Sequence, residues 1–339
     1  MARISDNKLR PAWAAAVPDH VVGLTWSPDG RFVAAAAVSG PVVVFDAGGK
    51  SVHQLPGHGF GTAAAAWQPG GSLLATAGQD GKVRVWDGGA EVRALDGGAA
   101  WVERLAWHPS GNLLAAAAGK TARVWDAAGT LVFTSPAQAG TVTDVGWRPN
   151  SQQLAVLGYG AANVYDLSGT AAHIFAWKGS PLALAWSPDG SVLAHGNQDA
   201  TVHFWYAATG KDLQMSGYPS KVRELSWDAG GRYLATGGGP MVCVWDCGGP
   251  KGPEGTQPAM LEGPEDTVTA VAWQRRGYLL AATARDGRVL LWQPANKKAP
   301  KAGEYRFKGA EASALAWSPD DKVLAVGAGY GTVAVLRVG

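Results

Sequence analysis

His195, Asp199 and His203 come nearest to a metal site, because a hairpin with Asp199 in its turn would carry both imidazoles and the carboxylate into one region. Strand histidines are more often packed than coordinating, and no metal or cofactor is expected. Cys243 and Cys247 lie on what reads as one strand and its exit. In an extended chain they stand roughly 13 Å apart, too far for a disulfide. They read as core filler in a reducing compartment, with no second pair to complete a zinc site. The 47 glycines include no phosphate loop. Gly237-Gly238-Gly239-Pro240 stands between strands, without the following helix whose N-terminus would bind an anion. A serine elbow is absent as well, so no residue set supports catalysis and the chain reads as a non-enzyme.

Charge narrows the partners. With 29 basic and 27 acidic residues the net charge is +2, which supplies no field for nucleic acid or an anionic membrane. No apolar run approaches the roughly 18 residues of a membrane helix, and the N-terminal segment lacks the charged-then-apolar pattern of a signal peptide. The expectation is a soluble, cytoplasmic, monomeric protein.

The elements that must position any site are strands. Residues 62–87, TAAAAWQPGGSLLATAGQDGKVRVWD, hold three alternating apolar runs joined by a Pro-Gly-Gly turn and an Asp-Gly turn. With the following run, Glu91 to Leu95, they make a four-stranded antiparallel meander, the connections being too short for anything but hairpins. The unit recurs. Trp26, Trp67, Trp107, Trp147, Trp186, Trp227, Trp273 and Trp317 follow one another at intervals of 41, 40, 40, 39, 41, 46 and 44, and self-similarity at this period marks stacked units. Each anchor is followed after 18 or 19 positions by a large residue that ends an alternating run: Phe45, Trp86, Trp125, Tyr165, Trp205, Trp245, Trp292 and Leu336. Insertions therefore fall between units. Two of them, 248–258 and 294–303, read as solvated Pro/Gly/Lys loops, with Lys297, Lys298 and Lys301 as a basic docking patch.

These features together resemble the WD40-repeat family: SPDG turns at 27–30 and 187–190, the Gly57-His58 dipeptide, and the pairs Trp86-Asp87, Trp125-Asp126 and Trp245-Asp246. The resemblance covers residues 11 to 339 and implies a β-propeller, all-β, with each four-stranded sheet a blade around an axis. Eight anchors imply eight blades in one domain over 1–339. A seven-bladed ring with a spare unit is the alternative, but eight complete strand sets leave no spare. The eighth unit ends directly after its third strand, so its outer strand is expected from Pro11 to Val17, closing the ring.

The resemblance also implies roles. His58, Thr76, Asp80 and Trp86 match the family's buried structural tetrad; an acid, an imidazole and a hydroxyl in line suggest catalysis, but satisfying polar groups between blades is the weightier reading. Blade five carries His195 at the hydroxyl position and Trp177 at the histidine position. Most blades lose the aspartate and are expected to rely on apolar packing. The family's partner-binding positions fall here on Trp101, Glu103, Lys221 and Arg223, with Tyr159, Arg285 and Tyr330 at neighbouring turn tips. Large rigid rings and forked donors are the usual interface anchors. The implied function is a non-catalytic scaffold for a protein or peptide partner. A site in the axial channel, and a subunit of a larger assembly, are the alternatives.

Overall fold

The computed structural model describes residues 8–249, 251–297 and 300–339. Among them the chain forms eight four-stranded antiparallel sheets, and one 3-10 turn, Gly329–Gly331, is the only helical element. Seven sheets use four consecutive strands: residues 21–55, 62–96, 102–134, 142–176, 181–215, 225–261 and 268–306 span blades one to seven. Blade eight takes its inner three strands from 312–338 and its outer strand from Leu9–Ala16. That outer strand pairs antiparallel with Thr332–Val338, Trp13 opposite Val335. It begins two residues before the expected Pro11. Val17 falls outside it, and its N–H goes to the Gly331 carbonyl at 2.8 Å.

Second strands carry the core. Leu113–Ala118 and Val192–Asn197 are buried at every position, because a blade is covered on both faces by its neighbours and no side of the pleat meets water. Alanine suits such a strand, since two backbones can approach with one methyl between them. Every alanine in Ala34–Ala37 is fully buried. Opposite the anchor tryptophan, where blade one has Val33, four other blades bury Leu154, Leu193, Leu234 and Leu280.

The anchor tryptophans join one blade to the next. Each Nε1–H in six blades donates to the carbonyl just before the previous anchor: Trp26 to Ala316, Trp107 to Ala66, Trp147 to Ala106, Trp186 to Gly146, Trp227 to Ala185 and Trp317 to Ala272, at 2.9–3.3 Å. Trp67 and Trp273 break the series; their indole N–H groups are buried without a partner. Higher on the inner strands, hydroxyls do the same work. Thr143 donates to the Pro181 carbonyl at 2.9 Å and Ser313 to that of Val21 at 2.7 Å. A buried donor left unpaired costs about 1–3 kcal/mol, so these lateral bonds bear on how firmly the ring holds together.

One expectation about the insertions needs correcting. The strand Lys301–Arg306 begins inside the 294–303 segment, and the Lys301 ammonium is answered by Glu304 at 2.5 Å. Lys301 is thus part of the outer strand of blade seven, and Lys298 lies outside the described residues.

Candidate docking face

The loops leading into the inner strands and the turns between second and third strands lie together on one face. Backbone bonds tie them: Val38 N–H to His20, Gln79 to Gly61, Gln198 to Ser180, Arg285 to Thr267 and Gly329 to Glu311, all at 2.9–3.0 Å. Trp101, Glu103, Tyr159, Lys221, Arg223, Arg285 and Tyr330 all belong to this face. Trp101, Tyr159 and Tyr330 are 57%, 59% and 85% exposed, so Trp101 is no plug between blades. Glu103 is half-buried. Lys221, Arg223 and Arg285 come together with Gln198 around one depression of about 590 Å³ above blades five to seven.

Phe60 was not singled out from sequence, yet it is the most exposed large apolar side chain here, at 90%. Its signal was a bulky ring between two glycines, Gly59-Phe60-Gly61. Phe60 and Tyr330 also share a backbone feature, φ of 67° and 59°, the left-handed region that bulky residues seldom occupy. Such strain persists only where surroundings enforce it, and it concentrates at binding surfaces. Of the five aromatic side chains exposed among the described residues, only Tyr278 sits on the opposite face, in a turn between first and second strands.

Beneath this face a polar chain spans blade two. Trp86 Nε1–H donates to Thr76 Oγ1 at 2.9 Å. Thr76 and His58 Nε2 are 2.9 Å apart, and His58 Nδ1 stands 2.8 Å from an Asp80 oxygen. Burial holds His58 below its ordinary range, partly offset by Asp80. The imidazole is therefore neutral near pH 7, donating from Nδ1 and accepting from the Thr76 hydroxyl. Burial opposes ionisation of Asp80, but the hydrogen bonds from His58 and Arg84 prevail and hold it below the usual carboxylate range. Glycine makes room: Gly57, at φ +72°, would place a Cβ 1.6 Å from the Gly40 oxygen, and Gly78 one 2.4 Å from the His58 Cβ. The hydroxyl is fully buried.

Blades without the aspartate do not all fall back on apolar packing, which corrects that expectation. The position of His58, nine before the anchor, is Gln138 in blade four and Tyr218 in blade six. Gln138 Nε2 donates to the Tyr165 hydroxyl at 3.1 Å. Tyr218 takes the Trp245 indole N–H at 2.8 Å and bonds Thr236 Oγ1 at 2.9 Å. A side chain of different chemistry thus bridges the same gap, because what the site requires is a polar group that continues the hydrogen-bonded chain to the third-strand tryptophan or tyrosine.

In blade five His195 and His203 face each other across the hairpin, their rings stacked with centroids 5.4 Å apart. His195 Nε2 accepts from the Trp205 indole at 2.9 Å and its Nδ1 bonds Asn197 Oδ1 at 2.9 Å. Asp199 is turned to the Thr201 hydroxyl at 2.7 Å. Among the described residues no three histidine, cysteine or carboxylate side chains converge as metal ligands. The Trp177 ring lies on His203, centroids 3.8 Å apart. Both cysteines are unbridged; burial pushes Cys243 up to about 11 and Cys247 to about 12, which leaves little thiolate at neutral pH.

Three positions before the anchor, the ionisable residues are Arg104 and Asp144 on their inner strands and Glu224 just ahead of its own. Burial raises Asp144 against the pull of Arg104, whose Nε is 3.7 Å away, and its oxygens receive the N–H groups of Leu184 and Val145 at 3.0 and 2.9 Å. This acid binds its own scaffold.

Known proteins agree with the fold. A computationally designed protein, Ika8, superposes with a TM-score of 0.80 over 95% of this chain and 98% of its own, at 23% identity. SEC12-like protein 2 of Arabidopsis thaliana is 31% identical over 47% of this chain and 41% of its own length. Cell division cycle 20.1, cofactor of APC complex, from the same plant, is 27% identical over 45% of this chain and 34% of its own. The chain thus aligns with less than half of either natural relative. Residues 49–87, 89–126, 169–206, 211–246 and 255–293 match the WD domain, G-beta repeat family, and since these segments make up more than half of the sequence, the chain belongs to the WD40-repeat family.

Proposed function

We propose that this propeller is a non-catalytic docking platform for a protein or peptide partner, used through the face that carries Phe60, Trp101, Tyr159 and Tyr330. One observation carries the reading: exposed aromatic rings gather on that face, two of them on left-handed backbone. Aromatic anchors supply large contact area at small entropic cost, and a closed ring presents several loops already in place, so little order is lost on binding. Family membership supports a partner rather than a substrate, and one relative's name, cofactor of APC complex, denotes work within an assembly. Two unbridged cysteines support a reducing compartment, the cytoplasm.

The test is affinity capture from the native host with wild type and with the Trp101→Ala and Tyr330→Ala variants. The reading expects a protein retained by wild type and lost with both variants at unchanged thermal stability. Retention by both variants would overturn it.

A further inference from the structure

We infer that the depression above blades five to seven receives acidic side chains, aspartate or glutamate, of a peptide segment belonging to the partner. The inference rests on the docking reading and names the chemistry of one part of that face. Lys221 and Arg223 enter from blade six and Arg285 from the turn tip of blade seven, with Gln198, Ser220, Thr267 and Thr269 completing the wall. All three cations are exposed, and among the described residues none of them is locked in a close ion pair, although Lys221 and Arg223 attract the Glu224 carboxyl. Several arginines elsewhere are answered by carboxylates: Arg31 by Asp29, Arg84 by Asp80 and Glu91, Arg123 by Asp96, Arg232 by Asp246, Arg288 by Glu265. In a chain of net charge +2, three exposed cations around one bounded hollow are a local concentration rather than a general field.

The backbone beneath is also unlike the other blades. Blade six pairs its inner strand over only three residues, Leu225–Trp227, where the corresponding strands elsewhere run to six. Lys221 to Glu224 therefore lie outside the ladder. Val222, fully buried, pins this stretch through its N–H to the Asn197 carbonyl at 3.0 Å, leaving Lys221 and Arg223 on either side of it to face solvent. The one acid in the lining, Glu224, is turned inward: its Oε2 lies 3.3 Å from the Arg223 backbone nitrogen and against Gly237. Burial raises its pKa against the pull of Arg223 and Lys221. Asp266, beside the rim, is occupied by the Thr267 N–H at 2.5 Å. Two guanidinium forks and an ammonium can receive carboxylates in pairs. No exposed ring lines this hollow for bases to stack on, so a peptide fits it better than a single-stranded nucleic acid.

Fluorescence anisotropy with a labelled Glu-rich octapeptide and its Gln counterpart tests this. Wild type should bind the Glu peptide about ten-fold more tightly than the Gln peptide, with affinity falling as salt rises. Lys221→Ala/Arg223→Ala/Arg285→Ala should remove that preference, whereas Lys50→Ala/Arg276→Ala/Lys322→Ala, an equal charge change on the opposite face, should keep it. If the triple variant does not fold, Arg285→Ala alone, on a separate blade, should still weaken the Glu peptide several-fold. Equal binding of the Gln peptide, equal loss in the opposite-face variant, or binding of a phosphoserine peptide with none of the Glu peptide would each overturn the inference. Should the Glu peptide fail while Trp101→Ala still loses the captured partner, the docking face stands and this inference alone falls.

Discussion

The indole of Trp26 donates to the carbonyl of Ala316 at 3.1 Å across 290 positions of chain, joining the first blade to the last by the same bond that joins Trp107 to Ala66. Because Trp67 makes no such bond, the ring contains its own control. Trp107→Phe should cost about 1–3 kcal/mol more than Trp67→Phe, since only the first leaves a carbonyl without its donor. Urea denaturation of both variants measures the difference, and equal losses would show that the indole bond adds nothing to packing.

Removing residues 1–18 should abolish cooperative unfolding. The deletion takes away the Leu9–Ala16 strand and bares Thr332–Val338, in which Val335 and Leu336 are buried, leaving an open apolar edge. A truncated protein that stays monomeric and melts in one sharp transition would contradict closure by this strand.

His58→Ala should destabilise by roughly 1 to 3 kcal/mol, because Asp80 and the Thr76 hydroxyl lose their shared partner. Partner capture at low temperature should be unchanged, which distinguishes an internal strut from a binding residue. Loss of capture at full stability would place His58 in the docking surface instead.

Acid should weaken the ring before its carboxylates titrate. His195 is held at about 3 by burial, against an ordinary 6.5, and burial lowers His58 and His203 as well. The unfolded chain therefore takes up protons that the folded chain refuses. Stability is full above the unfolded value and falls as pH drops below about 6.5, by about 2 kcal/mol at pH 5 for His195 alone. His195→Thr, which places at this position the residue type of Thr76, should flatten the curve by about that amount between pH 7 and pH 5. An unaltered profile in denaturation at both pH values would contradict the assignment.

Strand order and closure were legible in the sequence because hairpin periodicity and turn residues are local signals, and counting them left one strand missing at the end and one unclaimed at the beginning. The lateral bonds were not. Nothing in the spacing of Trp107 reveals that its indole reaches the carbonyl of Ala66, since the contact depends on how one blade lies against the next. Gln138 and Tyr218 escaped notice for a related reason: neither resembles His58, although each fills its place as a hydrogen-bonding bridge. Phe60 was hidden by rank, a single aromatic among many whose exposure only the folded loop decides. Lys301 read as loop because its neighbours are Pro, Lys and Gly, yet pairing with Trp292 draws it into a strand.

Hydrogen exchange of the propeller with and without its captured partner tests the docking face most directly. Protection is expected around residues 58–62, 98–102, 158–160, 220–224 and 329–331, with the turns at 28–30, 149–151 and 275–278 unchanged. Protection confined to those opposite-face turns, or to the outer strands, would contradict it.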